Sequence, residues 1–197
     1  MKNIVSVSVL AFLFSIVLWA QPETGSFCFE STRLNTAGMC VLGGWAVANM
    51  ALGTWGWINH TGEQKYFSQM NFFWNTVNLA IAGFSLHGSG QIDCSSLGTA
   101  DALARQMNTE KVLLINAGLD AAYIGTGILL RHLATRSEKR GDLLKGYGNS
   151  VILQGAFLMI FDLSFYGILH GHRPEFISGM GLSVSPAMTG MYLAFKF

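Results

Sequence analysis

Residues 115–127 read INAGLDAAYIGTG, inside a longer run, Val112 to Leu130, that is otherwise apolar and whose only charged residue is Asp120. A stretch of this length with one carboxylate near its middle is a membrane-helix pattern with a polar exception. A charge at the centre of a bilayer costs about 2.5–3.5 kcal/mol on insertion scales. Asp120 therefore has to face a polar bundle interior, where amides or a proton satisfy it, and not lipid.

Composition agrees with that class. The 197 residues are 51% hydrophobic and 12% charged, whereas a soluble domain has about 25% charged residues. Mean hydropathy is +0.39, and the 23 glycines suit membrane helices. A net charge of +1 gives no electrostatic case for nucleic acid.

Residues 1–20 carry Lys2, an apolar core from Ile4 to Trp19 and a cleavage point after Ala20. This predicts a secretory signal peptide, with an uncleaved anchor as the alternative because Leu18 occupies the usual small-residue position. Residues 21–37 form an external N-terminal segment. Four spans follow over residues 38–172, at about 38–58, 66–86, 112–130 and 146–169, and residues 173–197 form an external tail. The fold class is thus an all-α membrane bundle of four transmembrane helices, with a short β-hairpin-like tail around Pro186. A fifth membrane segment is the alternative for that tail.

The third loop holds Arg131, Arg136, Lys139, Arg140 and Lys145. The positive-inside rule makes it cytoplasmic. Four spans then leave both mature ends outside, in the periplasm of an inner-membrane protein. SSLGTADALARQMNTEK, residues 95–111, predicts a separate short helix outside the membrane. An oxidising compartment permits one disulfide, and Cys28–Cys94 is the preferred pair because both lie in polar external segments.

Residues three, four or seven apart share a helix face. By this rule Asn71, Asn75 and Asn78 form one stripe, and Asn116, Asp120 and Tyr123 another. Trp45 and Asn49 sit four apart on the first span, and Gln154 and Asp162 lie on the fourth. Two readings compete for these stripes: hydrogen-bond glue between helices, or a pathway for a small solute, ion or proton. The asparagines favour glue and the aspartates favour function. Gly44 with Ala48, and Gly118 with Ala122 and Gly125, predict close helix packing.

His87, His170 and His172 form a weak candidate zinc trio at the external end. Haem is disfavoured, because His87 and His132 lie nine residues from Asn78 and Tyr123, on the opposite helix face. FSLHG (84–88) and GILHG (167–171) echo each other; aligning them sets Asn71 opposite Gln154 and suggests a duplicated helix pair with parallel repeats. No phosphate loop, nucleophile elbow, CxxC or HExxH motif occurs, so no enzyme class is supported.

GTWGWINHTGEQKYFSQMNFFWNTVNLAIAG, LLINAGLDAAYIGTG and YGNSVILQGAFLMIFD resemble the signature blocks of an uncharacterised family of small multi-helix membrane proteins from Bacteroidetes-type bacteria. The resemblance covers most of Gly38 to Asp162 and implies topology and cell type without a mechanism. The expected function is that of an integral inner-membrane protein in a lipid bilayer, with a polar seam that binds or passes a small solute, ion or proton, as a homo-oligomer. The alternative is an accessory subunit of a membrane complex with a structural seam.

Overall fold

The computed structural model describes residues 27–179, with side chains through Arg173. They form four helices: α1 (Phe27–Asn59), α2 (Gly62–Gly90), α3 (Thr99–Ala134) and α4 (Gly141–Gly179). No strand occurs among the described residues. Three helices are long and apolar enough to cross a membrane, over Phe27–Asn59, Thr99–Ala134 and Gly141–Arg173. α2 has 29 residues, enough length to cross, but its polar stripe lowers its hydropathy.

Helices of 29 to 39 residues rise about 43 to 58 Å, beyond the roughly 30 Å of a hydrocarbon core. That length extends one expectation and corrects another: the helix that holds the expected span at 38–58 begins at Phe27, and the separate short helix over 95–111 does not exist. From Thr99 onward that segment is the first third of α3. No glycine or proline interrupts residues 99–117, so the change from polar to apolar at Val112 marks a change of surroundings and not of backbone. The tail differs too: residues 173–179 continue α4 as helix. The expected hairpin around Pro186 and the signal peptide over 1–20 lie outside the described residues.

α1 and α2 form one hairpin, turned by Thr61 in an extended conformation and Gly62 at φ +58°, a left-handed geometry that glycine adopts without cost. α3 and α4 form the other. The hairpins join through α2 and α4, and α1 meets α3 and α4 only lightly. Glycines set the close approaches. A Cβ on Gly127 would sit 2.7 Å from the Gly148 carbonyl oxygen, and one on Gly148 2.6 Å from that of Gly127. On the other hairpin a Cβ on Gly53 would sit 2.8 Å from the Ser68 carbonyl oxygen. The small stripes expected to pack do not: Gly44, Gly118 and Gly125 have nothing within 4 Å of a built Cβ. They face outward because the tighter glycines, one face away, take the contact.

The two hairpins repeat each other. Leu42, Ala46, Asn49 and Gly56 are buried on α1, and Leu113, Ala117, Asp120 and Gly127 are buried on α3, at the same successive spacings. Likewise Ser68, Asn71 and Ala82 on α2 correspond to Val151, Gln154 and Phe165 on α4.

The bundle is polar within and apolar without. Phe84 is 80% exposed, and Leu52, Ile58, Val77, Ile115 and Ile160 are exposed with it. An apolar surface of this extent is what a lipid environment solvates. The apolar core proper is small: Met39, Leu42, Ala82, Leu113, Phe165 and Leu169. At one end Cys28 and Cys94 form a disulfide with Cα atoms 5.5 Å apart, tying the start of α1 to the α2–α3 loop. In that loop Asp93 accepts from the Ser95 hydroxyl (2.6 Å) and backbone N–H (3.0 Å), and the Ser95 hydroxyl chiefly holds this exposed carboxyl below its usual range.

Candidate functional site

Three helices build an amide cluster in the bundle interior. Asn71 Nδ2 donates to Asn49 Oδ1 at 2.8 Å. Gln154 Nε2 donates to Asn71 Oδ1 and more distantly, at 3.5 Å, to Asn49 Oδ1. Trp45 Nε1 donates to Gln154 Oε1 at 3.0 Å, and its ring stacks on Phe157 with centroids 3.7 Å apart. Asn75 Nδ2 closes on the Asn71 carbonyl at 2.8 Å, and Asn78 Nδ2 on Asn75 Oδ1 at 3.4 Å. Asn75 and Gln154 are fully buried. Each amide here leans on another, which is what buried polar groups need in a low-dielectric interior. The cluster joins α1, α2 and α4 at the place where the two repeats meet.

Asp120 on α3 and Asp162 on α4 take no part in the hydrogen bonds of that cluster. They are 3% and 5% exposed, on two helices that pack closely along their length. α3 and α4 run antiparallel and approach closely at the level of Asp120. Gly155 lets this happen, since a Cβ there would sit 3.0 Å from the Asp120 carbonyl oxygen. No N–H or hydroxyl reaches Asp120 Oδ2.

The remaining stripe residues go elsewhere. Asn116 is half-buried and makes no side-chain hydrogen bond among the described residues. Tyr123 is 37% exposed and packs edge-on against Trp74 with centroids 4.8 Å apart. Tyr123, about 60° around the helix from Asp120, therefore sits at the edge of the seam against α2.

The candidate zinc trio does not assemble. His87 is exposed. His172 Nε2 lies 2.7 Å from Glu30 Oε2, and its ring stacks on Phe27. His170 accepts from Arg173 Nη2 at its Nδ1, 2.6 Å away. A guanidinium only donates, so this nitrogen has no proton for Glu110, 3.2 Å away. Buried Glu110 is held instead by Arg173 at 3.4 Å and by Gln106 Nε2 at 3.3 Å. Among the described residues no three His, Cys, Asp or Glu side chains converge on a metal geometry.

Sequence reasoning missed this layer of Gln106, Glu110 and Arg173 toward the disulfide end of the bundle. The signal was present: Gln106 and Glu110 are four apart, a shared helix face once the helix is known to continue. It also missed Ser150, fully buried one turn before Gln154, whose hydroxyl has no partner.

An apolar exterior around a polar, hydrogen-bonded interior defines an all-helical membrane protein. The chain belongs to the family of unknown function DUF6992, whose model matches residues 41–163. That span holds the amide cluster and both acids. No curated protein and no solved structure matches the chain.

Proposed function

We propose that this is a four-span protein of the bacterial inner membrane whose buried acids Asp120 and Asp162 carry a proton, or a small cation in its place, as the working groups of a transport or coupling activity. The observation that carries this reading is the acids themselves: two buried carboxyls on packed helices, one oxygen of which no protein donor satisfies. A purely structural seam has no need of two acids, whereas an intramembrane carboxylate is a functional-site hypothesis by default. The amide cluster is the scaffold that holds the two hairpins together.

Two features support the orientation. The basic α3–α4 turn lies at one end of the bundle, as the positive-inside rule asks of a cytoplasmic loop. The Cys28–Cys94 disulfide lies at the other end, as an oxidising periplasm would favour. α2 crosses with the others, its asparagines turned inward. One four-helix bundle is small for alternating access, so a transport role implies a homo-oligomer.

The test is proton or cation flux in proteoliposomes, read by an internal pH dye or a cation-sensitive dye. Wild type conducts, and Asp120→Asn and Asp162→Asn do not. A fully active Asp120→Asn protein would refute the proposal. A second reading, an accessory subunit with a structural seam, is favoured by the mutual satisfaction of the amides. Under it both variants keep their partner complex, and outer-face substitutions break it.

A further inference from the structure

Where α3 ends and α4 begins, a cleft of about 500 Å³ opens between Ile128, Arg131, His132, Thr135, Asp142 and Lys145. We propose that this cleft binds the phosphate headgroup of an anionic phospholipid. The proposal rests on the membrane reading above, since it needs this end of the bundle at the cytoplasmic interface.

Three observations converge. The first is charge. The turn over 131–145 carries Arg131, Arg136, Lys139, Arg140 and Lys145 against Glu138 and Asp142. Within the cleft, the Asp142 carboxylate turns toward α2, its Oδ2 3.1 Å from where a Gly62 Cβ would stand. Lys145 is paired with Glu63 at 2.9 Å, so the uncompensated positive charge of the cleft wall is that of Arg131. Arg131 and His132 are exposed on the opposite wall.

The second is the helix start. Gly141, the first residue of α4, lines the cleft with Asp142. The first N–H groups of a helix lack intrahelical partners and favour an anion. The third is the surface below. Ile128, Leu129 and Leu133 are exposed apolar side chains on the same end of α3. A soluble anion would gain nothing from them, whereas acyl chains beneath a headgroup would cover them. Basic pockets on the cytoplasmic side of membrane helices take lipid headgroups on this logic.

The experiment uses full-length protein in phosphatidylcholine nanodiscs with phosphatidylglycerol titrated in, retained lipid being read by native mass spectrometry. Wild type prefers phosphatidylglycerol. Arg131→Gln with His132→Gln weakens retention by roughly fivefold or more, the effect of one basic charge near an anionic surface. Lys139→Gln with Arg140→Gln removes two charges from the same turn outside the cleft and changes retention less than twofold. Ile128→Trp fills the cleft floor without altering charge, at an exposed position that tolerates substitution, and also lowers retention.

Equal weakening by both charge pairs would reduce the effect to diffuse attraction and overturn the site. Absence of any preference in wild type, or unchanged retention in Ile128→Trp, would overturn it as well. Displacement of the lipid by millimolar inorganic phosphate would reassign the cleft to a soluble anion. A protein that stays monodisperse in buffer without detergent would instead remove the membrane reading itself.

Discussion

At the scale of single residues, the seam divides into groups with partners and groups without. Gln154 bridges Trp45, Asn71 and Asn49. Replacing it with leucine orphans the Trp45 indole N–H and the Asn71 amide oxygen at once, while Asn49 Oδ1 keeps its bond from Asn71. Buried hydrogen bonds between membrane helices contribute about 0.6–1.7 kcal/mol each, so Gln154→Leu costs about 2 kcal/mol, measurable as a lowered midpoint in detergent-driven unfolding. Asp120→Asn behaves oppositely. It replaces a buried ionisable group, one oxygen of which has no partner, by a neutral amide of the same shape, so the unfolding midpoint stays within about 1 kcal/mol of wild type or rises, while flux is lost. The separation of stability from activity in one variant is the sharpest residue-level check. The inward position of Asp120 was legible in the sequence because lipid penalises a charge so strongly. Its place against Gly155 of α4 was not, since helical spacing orders residues along one helix and says nothing about which neighbour that helix packs on.

At the scale of helices, glycine position decides which faces meet. Gly127→Ala puts a Cβ 2.7 Å from a backbone carbonyl that no rotamer can move, so α3 and α4 must separate. The gain of up to about 1 kcal/mol from alanine's helix propensity is outweighed, and folded yield falls. Gly118→Ala and Gly125→Ala meet open space and leave folded yield equal or better. Size-exclusion profiles of the three variants in detergent separate these outcomes. Composition alone favoured the wrong stripe, because Gly118, Ala122 and Gly125 have ideal spacing for a close approach. What they lack is a facing helix, a property of the whole bundle. Helix existence was readable from hydropathy, but helix ends were not. Hydropathy reports where the bilayer stops, and the hydrogen-bonded backbone of α1, α3 and α4 runs on past that point.

At the scale of the molecule, one covalent link and one charge asymmetry fix the two ends. Cys28→Ser or Cys94→Ser removes a crosslink between residues separated by 66 positions. The chain-entropy argument caps the loss at about 4 kcal/mol, and helices that persist in the unfolded membrane state reduce it. The expected result is a lowered midpoint in either variant, matched by wild type treated with reductant, together with a mobility shift on non-reducing gels. Single cysteines introduced by Ser96→Cys and Ser137→Cys read out orientation. With the native cysteines replaced, a membrane-impermeant maleimide labels Ser96→Cys in intact cells and Ser137→Cys only after lysis.

The direct hydrogen bond between Asn71 and Gln154 joins equivalent positions of two parallel helices. A contact of that kind lies on a twofold axis, as it would between two identical chains. Here both halves belong to one polypeptide, so either can change without dictating the other. Asn49 and its counterpart Asp120 show that freedom: one half has an amide in the cluster that binds the halves together, and the other has a buried acid. A true homodimer of either hairpin would carry two such acids or none.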